Sequence, residues 1–168
     1  MAGNGVLILG LDPGSRVTGF GLVREISGAA SLVEAGTIRC SQEQEADRLG
    51  HIFSELAKII ARHQPDEAAV EDVFTAKNAR SALKLGQARG SALAACALAG
   101  LAVSGYAPTH VKKNIVGQGR AEKEQVAFMV AQILGVRKPD WAKDASDALA
   151  VAVCHLNERR FKRLTGSP

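Results

Sequence analysis

The sequence has few of the features that stabilise secreted domains or anchor proteins in membranes. Its three cysteines, Cys40, Cys96 and Cys154, lie far apart and form no C-x-x-C motif, which argues against a disulfide framework and a zinc cluster. The longest apolar stretch, residues 92–103, is interrupted by Gly100 and is too short to cross a bilayer. No basic group precedes an apolar run at the N-terminus, so we expect no secretory signal. These absences predict a cytoplasmic protein without a membrane partner.

Aromatic residues are also scarce, at 4% of the chain, which argues against the broad stacking platform of single-strand binders. With 21 basic and 17 acidic side chains, the net charge is +4, which alone is only a weak indication of a nucleic-acid partner. The 168 residues, 46% of them apolar, suffice for one folded domain. We therefore expect a single domain over residues 1–168, in which about 162–168 form a flexible basic tail.

The hydrophobic pattern predicts strands first and then alternating helices and strands. The predicted strands cover residues 6–11, 18–24, 31–39, 68–73 and 101–106. The predicted helices cover residues 49–60, 78–98, a stretch from Thr109 to Gly117, 122–134 and 143–161. Three antiparallel strands followed by helix–strand units predict an α/β fold, a mixed five-stranded sheet with helices on both faces.

Four acidic residues stand at the ends of predicted elements. Asp12 ends the first strand before a Pro-Gly turn, where it serves equally well as a turn former or as a ligand. Glu71 lies near the end of an apolar strand, where a carboxylate is costly to bury unless it is paired or bound to a cation. Asp144 and Asp147 share one face at the start of the last helix. Capping and dipole compensation remain an alternative for both, although Asp140 is the better candidate for the cap.

Together these four carboxylates would repel one another without a cation, and they are the hard oxygen ligands that suit Mg²⁺ or Mn²⁺. Two such ions about 4 Å apart activate a water and stabilise the leaving oxygen of a phosphodiester. The neighbouring Asp72 should point to the opposite face of its strand, because side chains alternate, and is interpreted as a surface acid.

Basic residues are clustered rather than spread evenly. The stretch 75–90 contains no acid and four cations, which are Lys77, Arg80, Lys84 and Arg89. A second group includes Lys112 and Lys123. Each could be merely a solvated face, but beside a carboxylate cluster such cations favour the approach of phosphates. Phe74 lies in the adjacent loop, either folded back on the core or free to contact bases. Gly86 and Gly90, four residues apart in an Ala-rich helix, permit close packing on the sheet or on another subunit.

Several strings, read together, are specific. They are ILGLDPGSRVTG at 8–19, VEDVF at 70–74, AKNA at 76–79, SALKLGQARG at 81–90, AEK at 121–123 and DASDALA at 144–150. In this order and spacing, over nearly the whole chain, they resemble the bacterial RuvC family of Holliday-junction resolvases.

The resemblance implies a ribonuclease-H-like fold and a homodimeric endonuclease that nicks two opposed strands of a four-way DNA junction during recombination and repair. It implies Mg²⁺, for which Mn²⁺ substitutes, with two ions per site, and a branch-migration helicase complex as a partner in the bacterial cytoplasm. By position, the catalytic and metal-binding acids are Asp12, Glu71, Asp144 and Asp147. Phe74, Lys112 and Lys123 match DNA-contacting residues, and Lys77, Arg80 and Lys84 are further candidates.

Three other functions are weighed against this one. A phosphotransferase of the actin and sugar-kinase type also has an Asp-x-Gly turn after its first strand, but 168 residues are too few for two lobes. A ribonuclease-H-like nuclease acting on RNA or hybrid duplex is disfavoured by the AKNA and KLGQARG strings. A DNA-binding protein without catalysis is disfavoured by the four acids, which repel phosphate unless a metal joins them.

Overall fold

The computed structural model describes residues 5–72 and 77–166, which fold into a sheet flanked by helices. Within this part of the chain the strands are β1 (Val6–Asp12), β2 (Val17–Ile26), β3 (Ala29–Arg39), β4 (Glu67–Glu71) and β5 (Ala102–Tyr106). The helices are α1 (Glu45–His63), α2 (Ala79–Leu98), α3 (Pro108–Val116), α4 (Lys123–Ile133) and α5 (Lys143–Thr165). No helix in the described ranges is long and apolar enough to span a bilayer.

The sheet has the order β3-β2-β1-β4-β5. The first three strands form an antiparallel meander, whereas β4 runs parallel to both β1 and β5. The mixed five-stranded sheet predicted from the sequence is therefore confirmed. Because β1 and β4 are adjacent and parallel, their carboxyl ends meet at the same edge of the sheet.

Each face of the sheet is covered by helices, as the alternation of side chains along β1 shows. Ile8 belongs to the core cluster that packs against α3, α4 and α5. Its neighbours Leu7 and Leu9 belong to the opposite cluster, which packs against α1 and α2. All three side chains are at most 2% exposed, so the central strand is buried on both faces. By the same alternation, Asp12 and Glu71 project toward the α5 side.

Helix α5 lies unusually close to the sheet because glycines face it. A β-carbon at Gly10 would meet the backbone of Ala148, and one at Gly19 would meet the backbone of Asp144. A β-carbon at Gly21 would meet Leu149. The absent side chains let the helix backbone rest directly on β1 and β2, and this contact fixes the first turns of α5 above the strand ends.

The two ends of α5 differ from the prediction. Its N-cap is Ala142, which makes no side-chain capping bond, so the assignment of Asp140 as the cap is wrong. The helix also continues to Thr165, so residues 162–165, predicted as part of a tail, are helical. No helix breaker occurs before Gly166, and the ion pairs of Arg159 with Glu67 and of Arg160 with Glu25 hold this half of the helix against the sheet.

Candidate active site

Two of the predicted acids meet where β1 and β4 end. Leu11 pairs with Val70 in the parallel register, so Asp12 and Glu71 follow side by side on the adjacent strands. Both are partly buried, and their carboxyl groups are joined by a hydrogen bond. A hydrogen bond between two carboxyl groups requires that one of them holds a proton.

The pKa values of this pair reflect its surroundings. Burial, followed by the charges of Glu71 and Asp147, raises the pKa of Asp12 to about 8. Burial also raises the pKa of Glu71, although the hydrogen bond from Asp12 and the positive charges of Lys123 and Lys112 oppose the shift. At neutral pH without a cation, the pair therefore retains a proton.

The acids of α5 lie over this pair. Asp147 is close enough to raise the pKa of Asp12, and its Oδ2 accepts a hydrogen bond of 2.6 Å from Lys123 Nζ. This bond raises the pKa of Lys123. Asp144 is half-buried one turn earlier, and its backbone packs on Gly19, the residue that pairs with Asp12 across the sheet. The structure thus brings all four predicted acids to one edge of the sheet.

A cavity of about 220 Å³ opens beside the acids. Its polar lining consists of Glu71 and Asp147 with two lysines, Lys112 from the middle of α3 and Lys123 from the first turn of α4. A larger cavity of about 590 Å³ lies between the far ends of β2 and α5, where the arginines of α5 line it and none of the four acids does. Of these two cavities, the smaller is the one that places two of the predicted acids beside cations.

The donor set suits a hard divalent cation. Burial and the negative charges of Glu71 and Asp147 raise the pKa of Asp12, a bound cation would oppose these effects, and carboxylate oxygens of this kind bind Mg²⁺ or Mn²⁺. Among the described residues, however, no three His, Cys, Asp or Glu side chains already surround a common point as ligands would. Asp12 is hydrogen-bonded to Glu71, and Asp147 Oδ2 to Lys123, so each of these contacts occupies a carboxylate oxygen that a cation could otherwise use.

The other predicted DNA contacts lie away from the cavity. Lys77, Arg80 and Lys84 are exposed around the N-terminal half of α2. Arg89, from the same basic stretch, is instead paired with Asp72. Asp72 is therefore not the free surface acid predicted, because Arg89 of α2 covers it on the face away from Glu71. Phe74 lies outside the described residues.

Two features of the structure were not predicted from the sequence. The glycines beneath α5 are ordinary strand residues by local pattern, and only the repeated spacing of Gly19 and Gly21 on one face of β2 signals a close approach. Asn78 of the AKNA string caps α2, since its side-chain oxygen accepts a bond of 2.9 Å from Ser81 N. An asparagine directly before an Ala-rich helix is typical of an N-cap, so the sequence did contain a pattern that predicts this contact.

Comparison with known proteins connects this geometry with a family. A family model described as "Crossover junction endodeoxyribonuclease RuvC" matches residues 8–155. The protein of that name from Oleidesulfovibrio alaskensis is 62% identical over 164 residues, which cover 98% of each chain. The chain belongs to the RuvC family. The relative from Solidesulfovibrio magneticus is 61% identical and covers 98% of this chain and 97% of its own.

Solved RuvC structures agree in fold. The structure from Thermus thermophilus superposes with a TM-score of 0.85 at 34% identity, covering 93% of this chain and 96% of that one. A second structure, described as T. thermophilus RuvC in complex with Holliday junction substrate, gives a TM-score of 0.84 at 31% identity with the same coverage. The ribonuclease-H-like resolvase fold and the enzyme class predicted from the sequence are thereby confirmed.

Proposed function

We propose that this chain resolves four-way DNA junctions during recombination and repair, using divalent cations held by Asp12, Glu71, Asp144 and Asp147. The observation that carries the proposal is the meeting of these acids at one edge of the sheet, beside Lys112 and Lys123, in a chain of the RuvC family. The relative of this fold solved with a Holliday junction supports the choice of substrate.

Two of the four acids lie at strand ends, and the other two lie on helix α5. Asp12 and Glu71 sit on the rigid sheet and give up their shared proton when a cation binds, because metal ligands must be deprotonated. Asp147 and Asp144 approach from α5. Two Mg²⁺ ions, or Mn²⁺ in their place, would supply a water of lowered pKa and positive charge for the leaving oxygen. Both carboxylate pairs therefore serve to hold the ions and to orient the attacking water.

The basic residues bring the DNA to the acids. Lys123 is 69% exposed and bonded to Asp147, so it lies where a phosphate entering the cavity would pass. Lys112 lines the same cavity. Lys77, Arg80 and Lys84 extend the positive surface along α2 and hold the arms of the junction. Phe74, three residues beyond Glu71, contacts bases near the crossover, as the family resemblance implies.

A homodimer would match a substrate that is cut at two symmetric places. The buried face of α2 uses Ala88, Ala92 and Ala95. No described atom would lie within 4 Å of a β-carbon at Gly86 or Gly90, so these glycines do not serve packing on the sheet. With exposed Leu83 nearby, they form an outward face suited to a second copy of α2. We further propose cooperation with a branch-migration helicase complex in the bacterial cytoplasm.

Cleavage of a labelled four-way junction tests the assignment of the acids. Asp12→Asn, Glu71→Gln, Asp144→Asn and Asp147→Asn should each lower the single-turnover rate in Mg²⁺ by at least about 100-fold, since each removes a charged metal ligand. Junction affinity, measured in Ca²⁺ or EDTA, should be unchanged or higher, because each amide also removes repulsion toward phosphate.

Asp140→Asn serves as the matched control, since Asp140 is an exposed acid just before α5. It should cleave at the rate of the parent protein. A variant of any one of the four acids that cleaves normally would lose its residue from the site. Equal cleavage of junction, linear duplex and RNA–DNA hybrid by the parent protein would contradict the proposed substrate.

A further inference from the structure

An ion pair lies directly after the end of β4, on the face of the sheet opposite the acids. Asp72 follows Glu71 directly, and its carboxylate pairs with the guanidinium of Arg89 on α2. Each side chain is only 27% exposed, so the pair is sheltered from solvent rather than freely hydrated. This pairing removes Arg89 from the cations available to DNA and gives it a place in the fold.

The neighbouring strand is shaped to receive the pair. A β-carbon at Gly105 of β5 would lie 2.7 Å from Asp72 Oδ1 and 3.3 Å from Arg89 Nη2, so the Asp72 carboxylate would have to shift from its present position beside Arg89. Glycine at this point of β5 therefore leaves the room in which the carboxylate and the guanidinium meet. Asp72 is held from the other side as well, because its backbone N donates a hydrogen bond of 2.9 Å to Tyr106 O.

These contacts bear on Glu71 through the chain itself. Side chains alternate along a strand, so Glu71 faces the acid cluster while Asp72 faces α2. The two residues are joined by one planar peptide unit, so fixing the backbone and side chain of Asp72 also limits how far the backbone of Glu71 can move. Holding Asp72 by its carboxylate and its backbone therefore restrains the direction in which the Glu71 carboxylate points.

We propose that Asp72 and Arg89 are positioning residues for the cation site, which act by clamping the end of β4 to helix α2. The inference rests on the proposed role of Glu71 as a metal ligand. It assigns no contact with DNA or with the cation to either residue. Removing a residue that orients a metal ligand without contacting the metal typically lowers metal affinity 10- to 100-fold.

Calorimetric titration of the full-length protein with Mn²⁺, without DNA, tests this proposal. Asp72→Ala and Arg89→Gln should each weaken Mn²⁺ binding about tenfold. Because the two side chains act together, the Mn²⁺ affinity of the double variant should equal that of whichever single variant has the lower affinity. Arg89→Lys keeps the charge and should retain affinity within about threefold.

Arg160→Gln is the matched control, because it breaks the 2.8 Å ion pair of Arg160 with Glu25 at the other end of the sheet. It should lower the melting temperature without changing Mn²⁺ affinity. A loss of affinity in this control equal to that in Asp72→Ala would show general destabilisation and overturn the proposal. Additive losses in the double variant would overturn it too.

Glu71→Gln in the same titration separates this inference from the function on which it rests. If Glu71→Gln leaves Mn²⁺ binding unchanged, the proposed ligand role of Glu71 is wrong. If Glu71→Gln weakens binding while Asp72→Ala and Arg89→Gln do not, the ligand role stands and the clamp is wrong. Should Arg89→Gln fail to fold, the comparison of Asp72→Ala with Arg160→Gln decides the question.

Discussion

At the scale of single residues, the site holds acidic groups that repel one another when they are ionised. Asp12 and Glu71 are held side by side by two strands whose register is fixed by buried residues on both faces. Burial and the neighbouring charges of Glu71 and Asp147 raise the pKa of Asp12 to about 8, which favours a proton on this pair at neutral pH. The closeness of the two carboxyl groups would therefore both favour a bound cation and destabilise the folded protein when the groups ionise without one.

The raised pKa of Asp12 predicts a dependence of stability on pH. Its pKa is about 8 in the folded protein against an ordinary value of 3.8, so the native state binds more protons than the unfolded state between these limits. The free energy of unfolding should therefore fall as pH rises through this window. Asp12→Asn removes the titrating group and, in EDTA, should be more stable than the parent protein by about 1–3 kcal/mol at pH 8.5.

The advantage of Asp12→Asn should disappear only well below pH 3.8, toward about pH 3, where Asp12 is protonated in both the folded and the unfolded parent protein. Thermal unfolding at a series of pH values measures the difference. Asp140→Asn alters an exposed acid and should follow the parent protein throughout. Parallel curves for Asp12→Asn and the parent protein would show that Asp12 ionises normally.

At the scale of elements, the site depends on how closely α5 approaches the sheet. Asp144 and Asp147 reach the strand ends only because the first turn of α5 rests on Gly19, where no side chain intervenes. A single methyl group at this position would have to displace the helix backbone, since a strand between two neighbours cannot move aside. The contact is therefore both a packing feature and a requirement of the cation site.

Gly19→Ala should lower the melting temperature and raise the Mg²⁺ concentration needed for half-maximal cleavage by about tenfold, because it would displace Asp144 and Asp147, two of the four proposed ligands. Gly50→Ala is the matched control, since a β-carbon there meets nothing within 4 Å on the exposed side of α1. It should stabilise the protein by about 0.5–1 kcal/mol and leave the Mg²⁺ dependence unchanged. Identical Mg²⁺ dependence in Gly19→Ala would refute the role of this contact.

Local pattern was sufficient for most elements but not for contacts between distant ones. All the strands and helices described here were predicted within a few residues, because alternation, helical periodicity and turn residues are local signals. The position of α5 over Gly19 joins residues 125 positions apart, and the partner of Asp72 lies on another helix, so neither could be derived from spacing. Asp140 fails as a cap because α5 begins at Lys143 without a side-chain cap.

The site itself was predicted less by composition than by its combination of strings. The pattern of carboxylates grouped Asp12, Glu71, Asp144 and Asp147, but turn, strand or helix chemistry explains each of them separately, and the resemblance to a family made the grouping specific. The structure adds what the strings do not contain, which is that Lys123 bonds to Asp147 and that Asp12 bonds to Glu71. Side-chain pairing of this kind depends on where helices settle against the sheet.

At the scale of the whole molecule, one site per chain must serve a substrate with two strands to cut. Two copies related by a two-fold axis would place two sites in a fixed relation, and the proposed self-complementary patch is the outer face of α2. Leu83 and Leu98 are 63% and 80% exposed along this helix, with Gly86 and Gly90 between them. Pairing of these faces would let the two helix backbones approach closely.

Gly90→Glu places a charge in the middle of that face, where its desolvation in a dimer would be unfavourable. We expect dimerisation, measured by sedimentation equilibrium, to weaken by at least about 100-fold while the melting temperature of the monomer unit changes little. On a supercoiled plasmid that extrudes a cruciform, paired cuts yield linear DNA and single cuts yield nicked circles, so product should shift from linear to nicked. Gly50→Glu, the same substitution at an exposed glycine of α1, should remain dimeric and yield linear product. A dimer that survives Gly90→Glu would place the interface elsewhere on the molecule.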